Sequence, residues 1–107
     1  NAVGATPPGR RELDVESVRR SDVVVVEQME QAKADAAELF TAAEAGALDW
    51  GNVVLLSDLT GGRKIDRTPQ TITQFNSLGV ATEDLAAASY VVEQAVAQGI
   101  GVELPFA

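Results

Sequence analysis

The sequence predicts an α/β fold with a mainly parallel sheet and flanking helices. Three observations point to it. Val23 to Val26 is an unbroken run of valines. A continuous β-branched run reads as a strand buried on both faces, as in parallel sheets. Apolar residues at Met29, Ala32, Ala36, Leu39, Phe40 and Ala43 fall on one helical stripe. A second β-prone run, Thr71 to Phe75, meets a glycine turn and then another stripe: Leu85, Ala88, Val92 and Val96. Strands alternating with helices imply parallel pairing.

Taken in order, Asn1 to Gly4 reads as the end of a strand, with Gly4 allowing the turn out of it. Pro7, Pro8 and Gly9 make an irregular loop. Asp14 is placed to cap a short helix, Val15 to Arg20. The long stripe predicts one helix from Met29 to Ala43, stopped by Gly46. Asp49 to Gly62 reads two ways. Val53 to Leu56 alone suggests a strand. Asp49 as a cap, Leu56 and Leu59 three apart, and Gly61-Gly62 as a stop suggest a helix. Arg63 to Gln70 is a polar loop, and Thr71 to Phe75 alternates as a strand does. Thr82 is placed to cap a helix with an acidic first turn, Glu83 and Asp84. Gly99 stops that helix, and Gly101 to Leu104 reads as a last short strand. So short a parallel sheet needs further strands and covered faces, so the fold is expected to be incomplete.

Length and composition exclude more than they assign. The chain has 107 residues and a net charge of −8. That is at most one small domain. The charge opposes nucleic acid and anionic membrane as partners, since both need clustered Lys and Arg. No histidine and no cysteine are present. Most zinc and copper sites are thereby excluded, as is His- or Cys-based catalysis. No metal ligand set is assigned. The absence of cysteine permits a reducing cytoplasm.

Several candidate sites reduce to ordinary structure. Gly99-Ile-Gly101 opens like a dinucleotide fingerprint but follows a helix, where the motif needs a strand. Gly61-Gly62-Arg63-Lys64 could cradle a phosphate, yet fits a helix stop with basic residues at the dipole's negative end. Asp14 and Asp84 suit helix starts better than acid–base work. Asp58 and Asp66 are the other carboxylates. Trp50 reads as a packing anchor. Tyr90, within a helix, reads as partly buried or at a subunit contact. Two places remain. The loop Val3 to Arg10 leaves a strand end, has glycines that let backbone approach a ligand, and closes on a charged Arg10. Ser77, Leu78 and Gly79 lie at the carboxyl end of a strand, where open α/β sheets bind ligands. Gly79 is expected to need positive φ or a close backbone approach to a ligand, and the Ser77 hydroxyl either faces the cleft or ties down the turn.

Asn-Ala-Val-Gly-Ala at 1–5, Arg-Glu-Leu-Asp at 11–14 and Phe75 to Val91 together resemble the ornithine cyclodeaminase/mu-crystallin family, in its carboxyl-terminal portion. The resemblance implies a partial Rossmann-like fold. Residues 1–107 would be the carboxyl-terminal half of a nucleotide-binding domain plus a terminal helix. The glycine-rich loop and the amino-terminal substrate domain would precede Asn1. It implies an NAD- or NADP-dependent oxidoreductase of cyclic imines or amino acids, with this chain alone inactive. It favours a helix for Asp49 to Gly62. It carries cofactor contacts onto Val3, Gly4, Ala5, Thr6, Arg10 and Ser77, and substrate contacts onto Thr6 and Leu78. True cyclodeaminases carry a catalytic Asp where this chain has Thr6. A threonine hydroxyl is a poor general base, so the catalytic residue is unassigned. The chain looks more like the mu-crystallin branch, whose members reduce cyclic imines. A small-molecule substrate, a homo-oligomer and a cytoplasmic location are expected. The rival reading is a free-standing, non-catalytic module that dimerises through the sheet edge near Asn1.

Overall fold

The structure is a computed structural model and describes residues 1–4 and 9–105. The sheet has three parallel strands: β1 (Val23–Val26), β2 (Val54–Leu55) and β3 (Thr73–Asn76), in the order β2-β1-β3. Val25 and Val26 lie opposite Val54 and Leu55. On the other side Val23 to Val26 lie opposite Thr73 to Asn76. Ala2 adds a parallel bridge to Asn76 beyond β3. Its N–H donates to Phe75 O at 2.8 Å, and its carbonyl accepts from Ser77 N at 2.9 Å. The expected strand end at Asn1 to Gly4 is therefore this single bridge.

The valine run behaves as its composition predicts. Val24, Val25 and Val26 are buried, because β1 has neighbours on both edges and cover on both faces. One face packs on α1 (Val15–Arg19), α2 (Met29–Asp35) and α3 (Ala37–Glu44). Its core comprises Val18, Val24, Val26, Ala32, Ala36, Leu39, Ala42 and Val53. Trp50 packs against that core, as expected of an anchor. Asp14 caps α1, its Oδ1 accepting from Ser17 N at 2.7 Å.

Several expectations are corrected. The single helix from Met29 to Ala43 is two helices, broken at Ala36 (φ −79°, ψ 86°). Ala36 still receives a bond from Leu39 N at 2.9 Å and from Phe40 N at 3.0 Å. The bend keeps Ala32, Ala36, Ala37, Leu39 and Ala42 all buried; burial rather than a Pro or Gly sets it.

The segment 49–62 is only partly helical. A 3-10 turn (Trp50–Asn52) is capped by Asp49, β2 follows, and α4 (Leu56–Thr60) ends at Gly61. Val53 and Val54 are buried, and Val54 and Leu55 satisfy the open edge of β1. Sheet pairing outweighs the local helix signal there.

Thr82 is not a cap. The last helix, α5 (Ala81–Gln98), starts from Val80, with no side-chain cap bond. Gly99 ends it in the left-handed conformation (φ 65°), as expected. Residues 101–104 form no strand and are exposed.

A polar line ties β3 to the helices. Ser21 Oγ donates to Gln74 Oε1 at 2.9 Å, Gln74 Nε2 donates to Asn76 Oδ1, and Asn76 Nδ2 donates to Glu38 Oε1. Gln74, Asn76 and Glu38 are buried.

By contrast, α5 exposes Leu85, Tyr90, Val91, Val92 and Val96. Tyr90 is 63% exposed, so its buried reading fails. The radius of gyration is 17.7 Å, against about 13 Å for a compact domain of this size, and the extents of 54 × 32 × 21 Å fit a projecting helix. Among the described residues, no helix is long and apolar enough to cross a membrane.

Two consequences are measurable. Leu39 is fully buried, so Leu39→Ala should cost about 2–5 kcal/mol in urea unfolding. A loss under about 1 kcal/mol would mean that the helical layer is not closed over the sheet. Ser17, through its side chain and its backbone N–H, holds the Asp14 carboxyl below its ordinary value. A lowered folded-state pKa contributes stability that is present above the unfolded value, about pH 4, and lost as pH falls through the lowered one. Asp14→Ala should therefore flatten the pH dependence of unfolding below about pH 4, read by thermal melts.

Candidate functional site

Parallel strands put their carboxyl ends on one edge of the sheet, where open α/β sheets bind ligands. Here that edge is built from the residues just past each strand. Glu27 follows β1, Ser77 to Gly79 follow β3, and Val3 and Gly4 follow the Ala2 bridge.

The Glu27 carboxylate joins two of these exits. Ser77 Oγ donates to Glu27 Oε1. Leu78 N donates to Glu27 Oε2 at 3.1 Å. One turn further on, Gln31 Nε2 donates to Gly79 O at 3.2 Å. The turn at 77–79 is thus held at a hydroxyl, an N–H and a carbonyl by side chains from the β1 exit and α2. Gly79 sits at φ 73°, the left-handed region that favours glycine. The hydrogen of the Ser77 hydroxyl goes to Glu27, so the hydroxyl ties down the turn, the second of its two readings.

The other exit is fastened separately. Gly4 N donates to Glu12 Oε2 at 3.0 Å. A Cβ at Gly4 would lie 2.7 Å from Glu12 Oε1 and would push that carboxylate away. Val3 is exposed beside it. The structure brings Val3, Gly4, Ser77 and Leu78 together, because Ala2 pairs with Asn76 and Ser77 N binds Ala2 O. Arg10 is exposed. Ala5 and Thr6 lie outside the described residues. A recess of about 310 Å³ opens along the same edge, between Glu27, Leu56, Ser57, Val80 and Thr82.

Sequence reasoning missed Glu27, Gln31 and Glu12. Glu27 carried a usable signal: it is the first residue after a four-valine parallel strand, hence at the ligand edge. Gln31 and Glu12 carried none, since their partners are 48 and 8 positions away. Elsewhere the plain readings hold. Arg63 closes α4 by an N–H to Asp58 O at 2.9 Å and an ion pair to Asp58 Oδ2 at 3.3 Å. That engages Arg63, one of the two cations of the candidate phosphate cradle. No group of acidic side chains suited to a metal occurs among the described residues.

Residues 1–99 match the ornithine cyclodeaminase/mu-crystallin family. The chain belongs to that family. It is 35% identical to the alanine dehydrogenase of Archaeoglobus fulgidus, over 99% of its own length and 33% of the relative's. The chain thus spans about a third of the length of the curated relatives it matches. The probable ornithine cyclodeaminase of Bordetella pertussis superposes with a TM-score of 0.77 at 38% identity, over 95% of this chain and 33% of that one. The Δ1-pyrroline-2-carboxylate reductase of Thermococcus litoralis, solved with NADH and L-proline, superposes with a TM-score of 0.74 at 31% identity, over 88% of this chain and 29% of that one. The sheet and its helices are accordingly part of a Rossmann-like α/β fold, as the family resemblance implied.

Among the described residues, apart from Gly79 and its two chain neighbours, no atom lies within 4 Å of a Cβ placed on Gly79. Any cost of substitution there is conformational rather than steric crowding. Gly79→Val should cost more than about 1 kcal/mol, because a β-branched residue at positive φ is strained. Denaturant unfolding checks this, and an unchanged midpoint would mean that the turn reaches another conformation freely.

Proposed function

We propose that this chain supplies the carboxyl-terminal half of the nucleotide-binding domain, with its terminal helix, of an NAD(P)-dependent oxidoreductase acting on a cyclic imine or an amino acid. One observation supports this above the others. The two sequence clusters nominated independently, Val3-Gly4 and Ser77-Leu78, meet at the carboxyl edge of a parallel sheet. Family relatives fit the reading. One is an alanine dehydrogenase. Another was solved with NADH and L-proline. A free-standing interaction module has no comparable support, since the family match runs through every nominated residue.

In this reading Val3, Gly4, Ala5, Thr6, Arg10 and Ser77 contact the cofactor, and Thr6 and Leu78 the substrate. The residues fit the nicotinamide end of a dinucleotide. They offer an exposed glycine backbone, a half-buried hydroxyl and an apolar side chain. They do not fit its pyrophosphate, since the sequence holds no glycine-rich strand–turn–helix. That cradle belongs to the preceding part of the assembled enzyme. The cofactor, when bound, supplies hydride transfer. The chain's own work is to position the ring and keep water off it. The neutral Thr6 holds no titrating carboxylate, which favours imine reduction over amine elimination. The exposed apolar side chains of α5 suit a homo-oligomer. A cytoplasmic location is part of this reading, and the cysteine-free sequence is compatible with it.

The test has two arms. The 107-residue chain titrated with NADH or NADPH should show no micromolar saturable binding, because the helix N-terminus that holds the phosphates is missing. The full-length protein should reduce a cyclic imine with one of the two cofactors. A full-length protein with no NAD(P)-dependent turnover of cyclic imines or amino acids would overturn the proposal.

A further inference from the structure

Every donor on Ser77 and Leu78 is already committed inside the protein. Ser77 N–H goes to Ala2 O at 2.9 Å. The Ser77 hydroxyl hydrogen goes to Glu27 Oε1. Leu78 N–H goes to Glu27 Oε2 at 3.1 Å. A serine hydroxyl has one hydrogen and two acceptor lone pairs. With its hydrogen spent on Glu27, Ser77 Oγ offers a ligand only acceptor capacity.

Glu27 is suited to impose this. It is half-buried at the rim rather than in the core. Among the described ion pairs none involves it. Its two oxygens are matched by one O–H and one N–H instead. A carboxylate accepts at both oxygens, whereas an amide accepts at one atom and donates at the other.

We infer that Glu27 is a positioning residue that fixes Ser77 Oγ as a hydrogen-bond acceptor, so that this point of the site takes a ligand group bearing N–H or O–H. On the nicotinamide ring of such a cofactor, the group that bears N–H is the carboxamide NH2. The inference rests on the dinucleotide reading above.

Glu27→Gln tests it at nearly constant size. Leu78 N–H can only donate, so the new amide oxygen must stay with it. The new NH2 then faces Ser77 Oγ, which has to accept and turn its own hydrogen outward. The site point, an acceptor only in the wild type, then offers a hydrogen as well as its remaining lone pair. The probes are NADH or NADPH, whichever the wild type binds, and its 3-acetylpyridine counterpart. In the counterpart a methyl ketone replaces the carboxamide, leaving an acceptor without N–H. Full-length wild type should prefer the natural cofactor by roughly ten-fold in Kd, the worth of one hydrogen bond. Glu27→Gln should bring that ratio towards parity, since the point then serves an acceptor as well as a donor. Ser77→Ala, which leaves Glu27 in place, should bring it to parity. Equal weakening of both dinucleotides, with the ratio kept, would overturn the inference and leave the dinucleotide reading standing. If Glu27→Gln fails to fold, a ten-fold preference kept in Ser77→Ala overturns it alone. A wild type that binds neither dinucleotide overturns both.

Discussion

The pairing of β1 on both of its edges is the constraint on which the rest of the structure depends. A strand with neighbours on each side and cover on both faces favours an unbroken apolar run. Its residues are Val23 to Val26, and the last three are buried. Each such burial contributes on the order of 1.5–3 kcal/mol. Because both partners run parallel to β1, all the strand exits fall at one edge. A parallel sheet therefore places Glu27, Ser77 and Leu78 within reach of one another, although 50 or more positions separate the glutamate from its partners.

Polar residues near β3 play two different parts. Gln74, Asn76 and Glu38 form a buried line that half-buried Ser21 extends. Deleting a member would leave a buried group unpaired, at a cost of about 1–3 kcal/mol. Their service is to fix the pairing of β3 with α3 and with the end of α1. Glu27, Gln31 and Glu12 sit higher, at the rim, and spend their side chains on backbone and hydroxyl groups of the exits. The first set secures the layer. The second shapes the edge that layer presents.

The last helix stands apart from this packing. A helix apolar over so wide an arc normally buries that arc, yet Leu85, Val92 and Val96 are exposed here. The chain also spans about a third of its curated relatives. Family membership and edge geometry therefore support different parts of the reading. The family rests on residues 1–99. The arrangement of donors around Ser77 rests on the coordinates of this chain.

Some features were legible because they are local. The Val23 to Val26 strand follows from four β-branched residues in a row, the Asp14 cap from a carboxylate before a helical stretch, and the ends of α4 and α5 from Gly61 and Gly99. The positive φ of Gly79 follows from a glycine between a strand and a helix. Val3, Gly4, Ser77 and Leu78 were nominated for the same reason: glycines and strand ends mark sequence locally. The features that were not legible depend on distant partners. Ala36 bends the chain so that two short helices, rather than one, keep their alanines and Leu39 on the sheet. Val54 and Leu55 join the sheet because β1 has an open edge there. The helix α5 starts at Ala81 rather than after Thr82, and no local residue signals it. Glu27 becomes part of the site only because parallel pairing sets β3 beside β1. By itself the sequence determined the fold class, the central strand and the positions of the two exits. Only the tertiary structure decided what fastens them, because hydrogen bonds between residues far apart in the chain leave no periodic or compositional trace.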